Sequence, residues 1–360
     1  MVRTRLLVVM AALIVIGMVA TTVDADTRTR SRSAKTAAAK NAATKGAATK
    51  GAAAKAAAAK DPAKDPVRLE QALLVQVLLD RAGFSVGEID GSAGAKTKKA
   101  LMAFQTAKNL TASGMADDAT LEALGGQRSP TVNYTIGAED VAGPFVESIP
   151  KDLGDQGKLE ALSYTSAIEQ LGERFHAAPA LLRKLNPTAK FVEGEGVLVP
   201  DVEPAMYPTV SERRKEKVVP TAAQTDAVLI SKANNDVVVQ DASGQVLFYA
   251  PVSSGSEHDP LPIGEWKVLD VFMLPQFNYN PDLFWDADPK HAKTKIAPGP
   301  NNPVGVVWID INREHYGLHG TPEPSRIGIT QSHGCVRLTN WDAIRLASLV
   351  QPGTRVVFRP

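Results

Sequence analysis

Apolar positions recur along this chain in three rhythms, and each rhythm predicts a different kind of unit. Across residues 68–126, Leu69, Leu73 and Val77, with Leu74 and Leu78, fall at helical spacing. Gly83 ends that stripe, Asp90-Gly91 reads as a turn, and a second stripe runs through Ala100, Leu101 and Phe104. A short helix with Leu121 and Leu124 completes a small three-helix module. Across residues 164–200 the pattern shortens. Tyr164-Thr165 predicts a first strand, Ile168, Leu171 and Phe175 an amphipathic helix, Leu181-Leu182 and Leu185-Asn186-Pro187 a second helix and its end, and Val197-Leu198-Val199-Pro200 a closing strand. From Ala227 onward the rhythm is that of strands. Val228-Leu229-Ile230, Val237-Val238-Val239, residues 246–249, 266–269 and 304–311, and Val356-Val357-Phe358 are short β-rich runs. Residues 341–350 predict one helix, with Asn340 placed to cap it. Residues 273–303, rich in Pro and Asn, must wrap the surface or form a lid.

The first 66 residues follow none of these rhythms. Arg3 and Arg5 precede an apolar run over residues 6–20, and Val23 and Ala25 suit cleavage after Ala25, the layout of an export signal. That run is shorter than the ~20 residues needed to span a bilayer. Lysines then recur at 35, 40, 45, 50, 55 and 60 with mostly alanine between them. A five-residue step turns a helix by about 140° beyond a full turn, so these lysines spiral and leave no apolar stripe. The segment reads as a solvated tether and a candidate contact for an anionic polymer. It also hides a charge asymmetry. The whole chain carries +1, while residues 26–66 carry ten Lys/Arg against three Asp and residues 1–25 add a further +1 (Arg3 and Arg5 against Asp24), which leaves residues 67–360 at −7. A nucleic-acid binder built on a basic folded domain is therefore excluded.

One cysteine, Cys335, rules out a disulfide scaffold and multi-cysteine zinc modules. In an exported chain it needs a reason, since oxidising compartments favour cysteines that pair. Its surroundings read Ser332-His333-Gly334-Cys335-Val336-Arg337-Leu338, and His319-Gly320-Thr321 precede them. A thiol attacks only as thiolate, so a nearby base or positive field is needed, and histidine suits that role. Gly334 would let a substrate carbonyl approach the backbone N–H groups, and Arg337 supplies a permanent fork for a carboxylate. Two other roles compete. Cys335 could be an inert core thiol, or it could bind zinc with His315, His319 and His333, although the His-x-Cys pair is close for a tetrahedral site. His315 reads as a polar loop residue, and His176, His258 and His291 as surface groups.

These residues carry a resemblance. His319-Gly320-Thr321, Ile327-Gly328 and the segment 332–338 resemble the signature of the L,D-transpeptidase catalytic domain, the YkuD family. Ser253-Ser254-Gly255, Pro262-Ile263-Gly264-Glu265-Trp266, the segment 298–305 and Gly353-Thr354 sit in that family's order, with Leu261-Pro262 where Thr-Pro is commoner. Residues 68–126 resemble the peptidoglycan-binding domain found on wall enzymes. Residues 161–201 resemble a LysM module, without the Gly-Asp-Thr usual after its first strand.

The resemblance implies a multidomain α+β chain. It has a signal peptide at 1–25, an Ala/Lys-rich linker at 26–66, a three-helix peptidoglycan-binding module at 67–126 and a linker at 127–160. A LysM-like βααβ module at 161–201, a linker at 202–224 and a mostly-β, sandwich-like catalytic domain at 225–360 follow. In that reading Cys335 is the nucleophile and His319 its base, oriented by a backbone carbonyl. His333, Gly334 and the Cys335 backbone stabilise the oxyanion, and Arg337 holds substrate, with Ser332 and Gly320 in the same site. The enzyme would act as a monomer in the periplasm or cell envelope, without metal or organic cofactor. Its donor and acceptor would be peptidoglycan stem peptides, joined 3→3 through a thioester. An L,D-carboxypeptidase, a protein-to-wall transferase and a non-catalytic wall anchor stay open as alternatives.

Overall fold

The computed structural model describes residues 66–207 and 225–360. The export signal, the Lys/Ala arm and most of the 202–224 linker lie outside the described residues. Among the described residues, no helix is long and apolar enough to cross a membrane.

The helical module forms as its stripes predict: α1 (Pro66–Arg81), α2 (Ala95–Ala107) and α3 (Asp118–Ala123). Gly83, at φ +88°, turns the chain out of α1, where a side chain would be strained. Asp117 caps α3 through the Thr120 N–H.

The second unit is a strand–helix–helix–strand unit, but its first strand is not where the sequence placed it. Tyr164-Thr165 is not a strand. Strand β1 is Thr131–Thr135, inside the expected 127–160 linker, and pairs antiparallel with β2 (Gly196–Pro200). Short helices α4 (Ala138–Val141) and α5 (Leu153–Gln156) occupy the excursion between β1 and the two main helices, α6 (Ala167–Arg174) and α7 (Pro179–Leu185). The strand escaped detection because it is the outer face of a two-stranded sheet: Val132 is exposed, so no apolar alternation marks it.

The remaining strands are β3 (Thr225–Ser231), β4 (Asp236–Asp241), β5 (Val246–Pro251), β6 (Ser253–Ser254) and β7 (Gly264–Met273). A small hairpin follows, β8 (Phe277–Tyr279) with β9 (Thr294–Ile296). Then come β10 (Val307–Ile311), β11 (Gly317–His319), β12 (Val336–Arg337), α8 (Asn340–Leu349) and β13 (Arg355–Arg359). Nine strands hydrogen-bond in the order β5-β4-β3-β13-β7-β10-β11-β12-β6. The ten-residue β7 serves both halves, pairing with β13 through Gly264 to Lys267 and with β10 through Val268 to Met273. The sheet can thus fold over one core, which gives the sandwich-like form. Val237, Val239 and Phe248 from one half meet Ile309, Leu318 and Val336 from the other, and Leu346 of α8 closes the gap. Each such side chain contributes roughly 1.5–3 kcal/mol on burial. The cap of α8 is Thr339, which accepts from the Asp342 N–H, and not Asn340 as the sequence suggested.

The units are fused rather than strung on linkers. Apolar residues of the helical module and the strand–helix–helix–strand unit share one core that also takes in Tyr249 of β5. The segment after α1 joins the β5 edge of the nine-stranded sheet, with the Ser85 N–H donating to Tyr249 O and the Tyr249 N–H to Gly83 O. His176 is not a surface group. It is buried at this junction, bonded to Asp80 and stacked on Trp341.

Two buried acids mark the same junction. Tyr207 donates to Glu173, and Ser85 and Thr339 donate to Asp342. Burial pushes Glu173 up to about 7 and Asp342 up to about 6. Both groups keep a proton in the folded chain at a pH where the unfolded chain has lost it. Their contribution to stability is therefore full below about pH 4 and is lost as pH rises through 6–7. Glu173→Gln, which keeps the shape without the charge, should raise the melting temperature at pH 8 by roughly 5 °C and leave it little changed at pH 5. Thermal unfolding at both values tests this, and an equal shift at the two would contradict it.

Candidate active site

The sequence-predicted residues meet because β11 and β12 run parallel, with Leu318 opposite Val336 and His319 opposite Arg337. Side chains alternate along a strand, so Val336 turns into the core while Cys335 and Arg337 share the other face with His319. All three line one groove of about 1510 Å³. Tyr316, Trp308, Arg326 and residues of the 273–303 segment line it too.

His319 is buried and stacks on Trp308, its cross-strand partner. Its Nδ1 lies 2.7 Å from the Gly320 carbonyl oxygen. A carbonyl only accepts, so Nδ1 carries the proton and Nε2 keeps a lone pair. Burial, aided by the Arg337 charge, pushes the imidazole down to about 3, so it is neutral at any physiological pH. Gly320 itself packs tightly against Asn340. A Cβ on Gly320 would lie 2.2 Å from Asn340 Oδ1, and one on Gly305 only 2.1 Å from it. Asn340, freed from capping, accepts from the Val306 N–H and donates to Pro300 O.

Cys335 is half-buried. Its Sγ–H donates to the His315 carbonyl at 3.6 Å, which gives that loop residue a backbone role. Burial pushes the thiol up to about 11, opposed by a bond from Gly317 and by the Arg337 charge. The resting site thus holds a neutral thiol and a neutral imidazole. A histidine-depressed thiol, the expectation from sequence, is not what this geometry gives. Burial outweighs the field because His319 carries no charge.

The other predicted residues separate into distinct roles. Gly334 has φ +96°, and a Cβ there would sit 2.5 Å from Tyr316 Cε1. Its N–H takes no protein acceptor among the described residues. Arg337 is half-buried, and no carboxylate lies within ion-pair distance of it among the described residues. It can receive a substrate carboxylate in a fork. Ser332 borders the groove, but its hydroxyl is spent on the backbone. It is buried, donates to Cys335 O and accepts from the Gly255 N–H, so it shapes the turn that carries the cysteine. His333 turns to the lid segment, with Nε2 at 2.7 Å from Asp286 and its ring at 4.8 Å from Phe284. The competing zinc set does not assemble. His333 is engaged by Asp286, and the described residues contain no metal-holding group of three His, Cys, Asp or Glu. Of the histidines read as surface groups, His291 is also engaged, by Asp152 and Tyr279, and His258 stacks on Trp285.

Sequence reasoning missed Asn340 as a support of the site, and missed Asp286 and Phe284. A surface wrap or a lid was expected over 273–303, and nothing in its composition pointed to His333.

Comparison with known proteins places two segments of the chain in families. Residues 225–358 match the model of the L,D-transpeptidase catalytic domain, YkuD, and residues 68–124 match that of the "Putative peptidoglycan binding domain". The "Putative L,D-transpeptidase YkuD" of Bacillus licheniformis is 48% identical over 63 residues, 18% of this chain and 38% of that protein. The "Putative L,D-transpeptidase YqjB" of Bacillus subtilis is 28% identical over 137 residues, 36% of this chain and 69% of that one. The chain thus spans well under two thirds of the first of these relatives. Among solved structures, L,D-transpeptidase 3 from Mycobacterium tuberculosis aligns at 16% identity with a TM-score of 0.32, covering 48% of this chain and 77% of that one. Residues 225–358 are an L,D-transpeptidase catalytic domain of the YkuD family, preceded in the same chain by a peptidoglycan-binding domain at 68–124.

Proposed function

We propose that the protein is a cell-envelope acyltransferase that joins peptidoglycan stem peptides through a thioester on Cys335. The observation that carries this reading is that His319, whose Nε2 keeps a lone pair, lines one groove with Cys335 and with Arg337, which has no carboxylate within ion-pair distance among the described residues. Arg337 takes a donor carboxylate, and the thiol proton passes to His319 Nε2 as Sγ attacks the carbonyl carbon of the donor's third residue. The Gly334 N–H receives the developing oxyanion. The tetrahedral intermediate collapses, the C–N bond to D-alanine breaks, and His319 returns the proton to the departing amine. An acceptor amine then attacks the thioester carbonyl, gives its proton to His319, and displaces the thiolate, which recovers that proton. No step needs a charged pair beforehand, which suits a neutral thiol and imidazole.

The helical domain supports polymer attachment. The strand–helix–helix–strand unit we read as LysM-like, with β1 rather than Tyr164-Thr165 as its first strand. We read residues 1–25 as the signal that exports the chain and the Lys/Ala arm as a tether. Incubation of the purified enzyme with disaccharide tetrapeptide, followed by separation of products, tests the reading. A cross-linked dimer with one D-alanine released per bond is expected. Tripeptide alone would replace it with the carboxypeptidase alternative, and unchanged substrate would overturn it.

A further inference from the structure

The excursion between β1 and α6 does not stay with its own unit. Its ends are tied together by the Val146 N–H bonding to Tyr164 O, and the segment between them reaches the catalytic groove. There Leu162 is buried against Tyr279 of β8 and Ile296 of β9, with Leu153, Leu159 and Phe277 packed around them. The backbone is stitched to the segment after β9: the Leu162 N–H donates to Pro298 O and the Asn301 N–H to Leu162 O. Asn301 Nδ2 donates to Ser163 O at 2.9 Å. Gly299 must be glycine here, since at φ +152° a Cβ would fall 2.2 Å from Leu162 O. At the outer edge Asp152 meets His291 Nε2 at 2.7 Å, and His291 Nδ1 lies 3.0 Å from the Tyr279 hydroxyl.

The same hairpin continues towards the nucleophile. Phe284 packs on Tyr279, at 5.4 Å between ring centroids, and on the edge of His333, while Asp286 bonds the His333 ring. A continuous path of contacts therefore runs from the excursion, through Asp152, His291, Tyr279 and Phe284, to the residue two before Cys335. Ile149, Asp152 and Leu153 also line the groove directly.

We propose that the 142–164 excursion is the fixed anchor of the lid, with Asp152 and His291 as positioning residues that hold β8 and β9 so that Phe284 and Asp286 close over His333 beside Cys335. The unit between the peptidoglycan-binding and catalytic domains is then part of the catalytic apparatus, and the lid's position over the bound stem peptide depends on it. This rests on the transpeptidase reading for its substrate, but not for its geometry.

A double-mutant cycle tests it. Asp152 also caps α5 through the Asp155 N–H, so Asp152→Ser is the variant to use, because serine keeps the cap and is too short to reach His291. Asp152→Ser and His291→Ala should each lower kcat/KM for the tetrapeptide by about tenfold, chiefly through KM, and the double variant should lose no more than either single one. His291→Gln, which can still donate to Asp152, should recover part of the loss. Iodoacetamide, small enough to pass the lid, should alkylate Cys335 in these variants at the wild-type rate. A bulky maleimide should react several times faster than with wild type. Additive losses, or unchanged kcat/KM, would overturn the proposal. If the wild type turns over no tetrapeptide, the transpeptidase reading falls by itself. The maleimide rates still decide the anchor: an unchanged rate in Asp152→Ser overturns it.

Discussion

Replacing Cys335 with alanine is expected to lower transpeptidation by at least about 10⁴-fold while leaving the fold intact. In the proposed mechanism the thiol forms the covalent intermediate, and the neighbouring Ser332 cannot replace it, being buried with its hydroxyl committed to Cys335 O. The side chain is small and half-buried, and its only hydrogen-bond acceptor among the described residues, the His315 carbonyl, belongs to an exposed loop residue. Thermal unfolding should therefore shift by no more than about 1 kcal/mol in stability. Cys335→Ser should be nearly as inactive, because a hydroxyl beside a neutral imidazole is a far weaker nucleophile. Product analysis by mass spectrometry checks both variants, and cross-linking near the wild-type rate in Cys335→Ala would remove the nucleophile assignment.

The second large effect is expected at His319. His319→Gln should lower kcat by about 10²–10⁴-fold, the range for loss of a general base. The site geometry adds a sharper expectation. His319 is neutral down to about pH 3, so its removal takes no positive charge from the thiol's surroundings. Alkylation of free enzyme by iodoacetamide should keep rising with pH towards the thiol's value of about 11 in wild type, and nearly the same profile should hold for His319→Gln. Arg337→Ala should instead slow alkylation, because that charge lowers the thiol's value. A wild-type plateau near pH 6–7 that disappears in His319→Gln would mean a preformed thiolate–imidazolium pair, contrary to the neutral site described here. The same two values set the limits for catalysis. kcat/KM needs the imidazole unprotonated and the thiol protonated, so these groups should leave it level between about pH 4 and 10.

Some of this was legible in the sequence, for physical reasons. The strands of the catalytic domain announce themselves because buried Val237 and Val239, or Ile309 and Ile311, alternate with half-exposed neighbours, Val238 and Asp310. Cys335, His319, Arg337 and Gly334 could be assembled from sequence because the chemistry needs those residue types close to one another. Strand β1 was hidden because its side chains are mostly exposed. The lost capping role of Asn340 was hidden because any Asn before a helix looks like a cap. Its side chain is instead taken up by the Val306 N–H and Pro300 O, and Thr339 caps. The buried junction joins Ser85 to Asp342, 257 residues apart, and the anchor of the lid joins Asp152 to His291, 139 apart. No local pattern encodes pairings of that range. The pKa values of the site were misjudged for a related reason: composition reports which groups are near, and burial decides which of them stay charged.

The central claim is that Cys335 carries the stem peptide as a thioester before transfer. The most direct measurement is intact-protein mass spectrometry of the enzyme mixed with a tetrapeptide donor whose acceptor amine is blocked. The account predicts an adduct equal to the donor less D-alanine, mapped to Cys335, removed by hydroxylamine, and absent in Cys335→Ala. Release of D-alanine with no adduct at Cys335, continuing in Cys335→Ala, would contradict it.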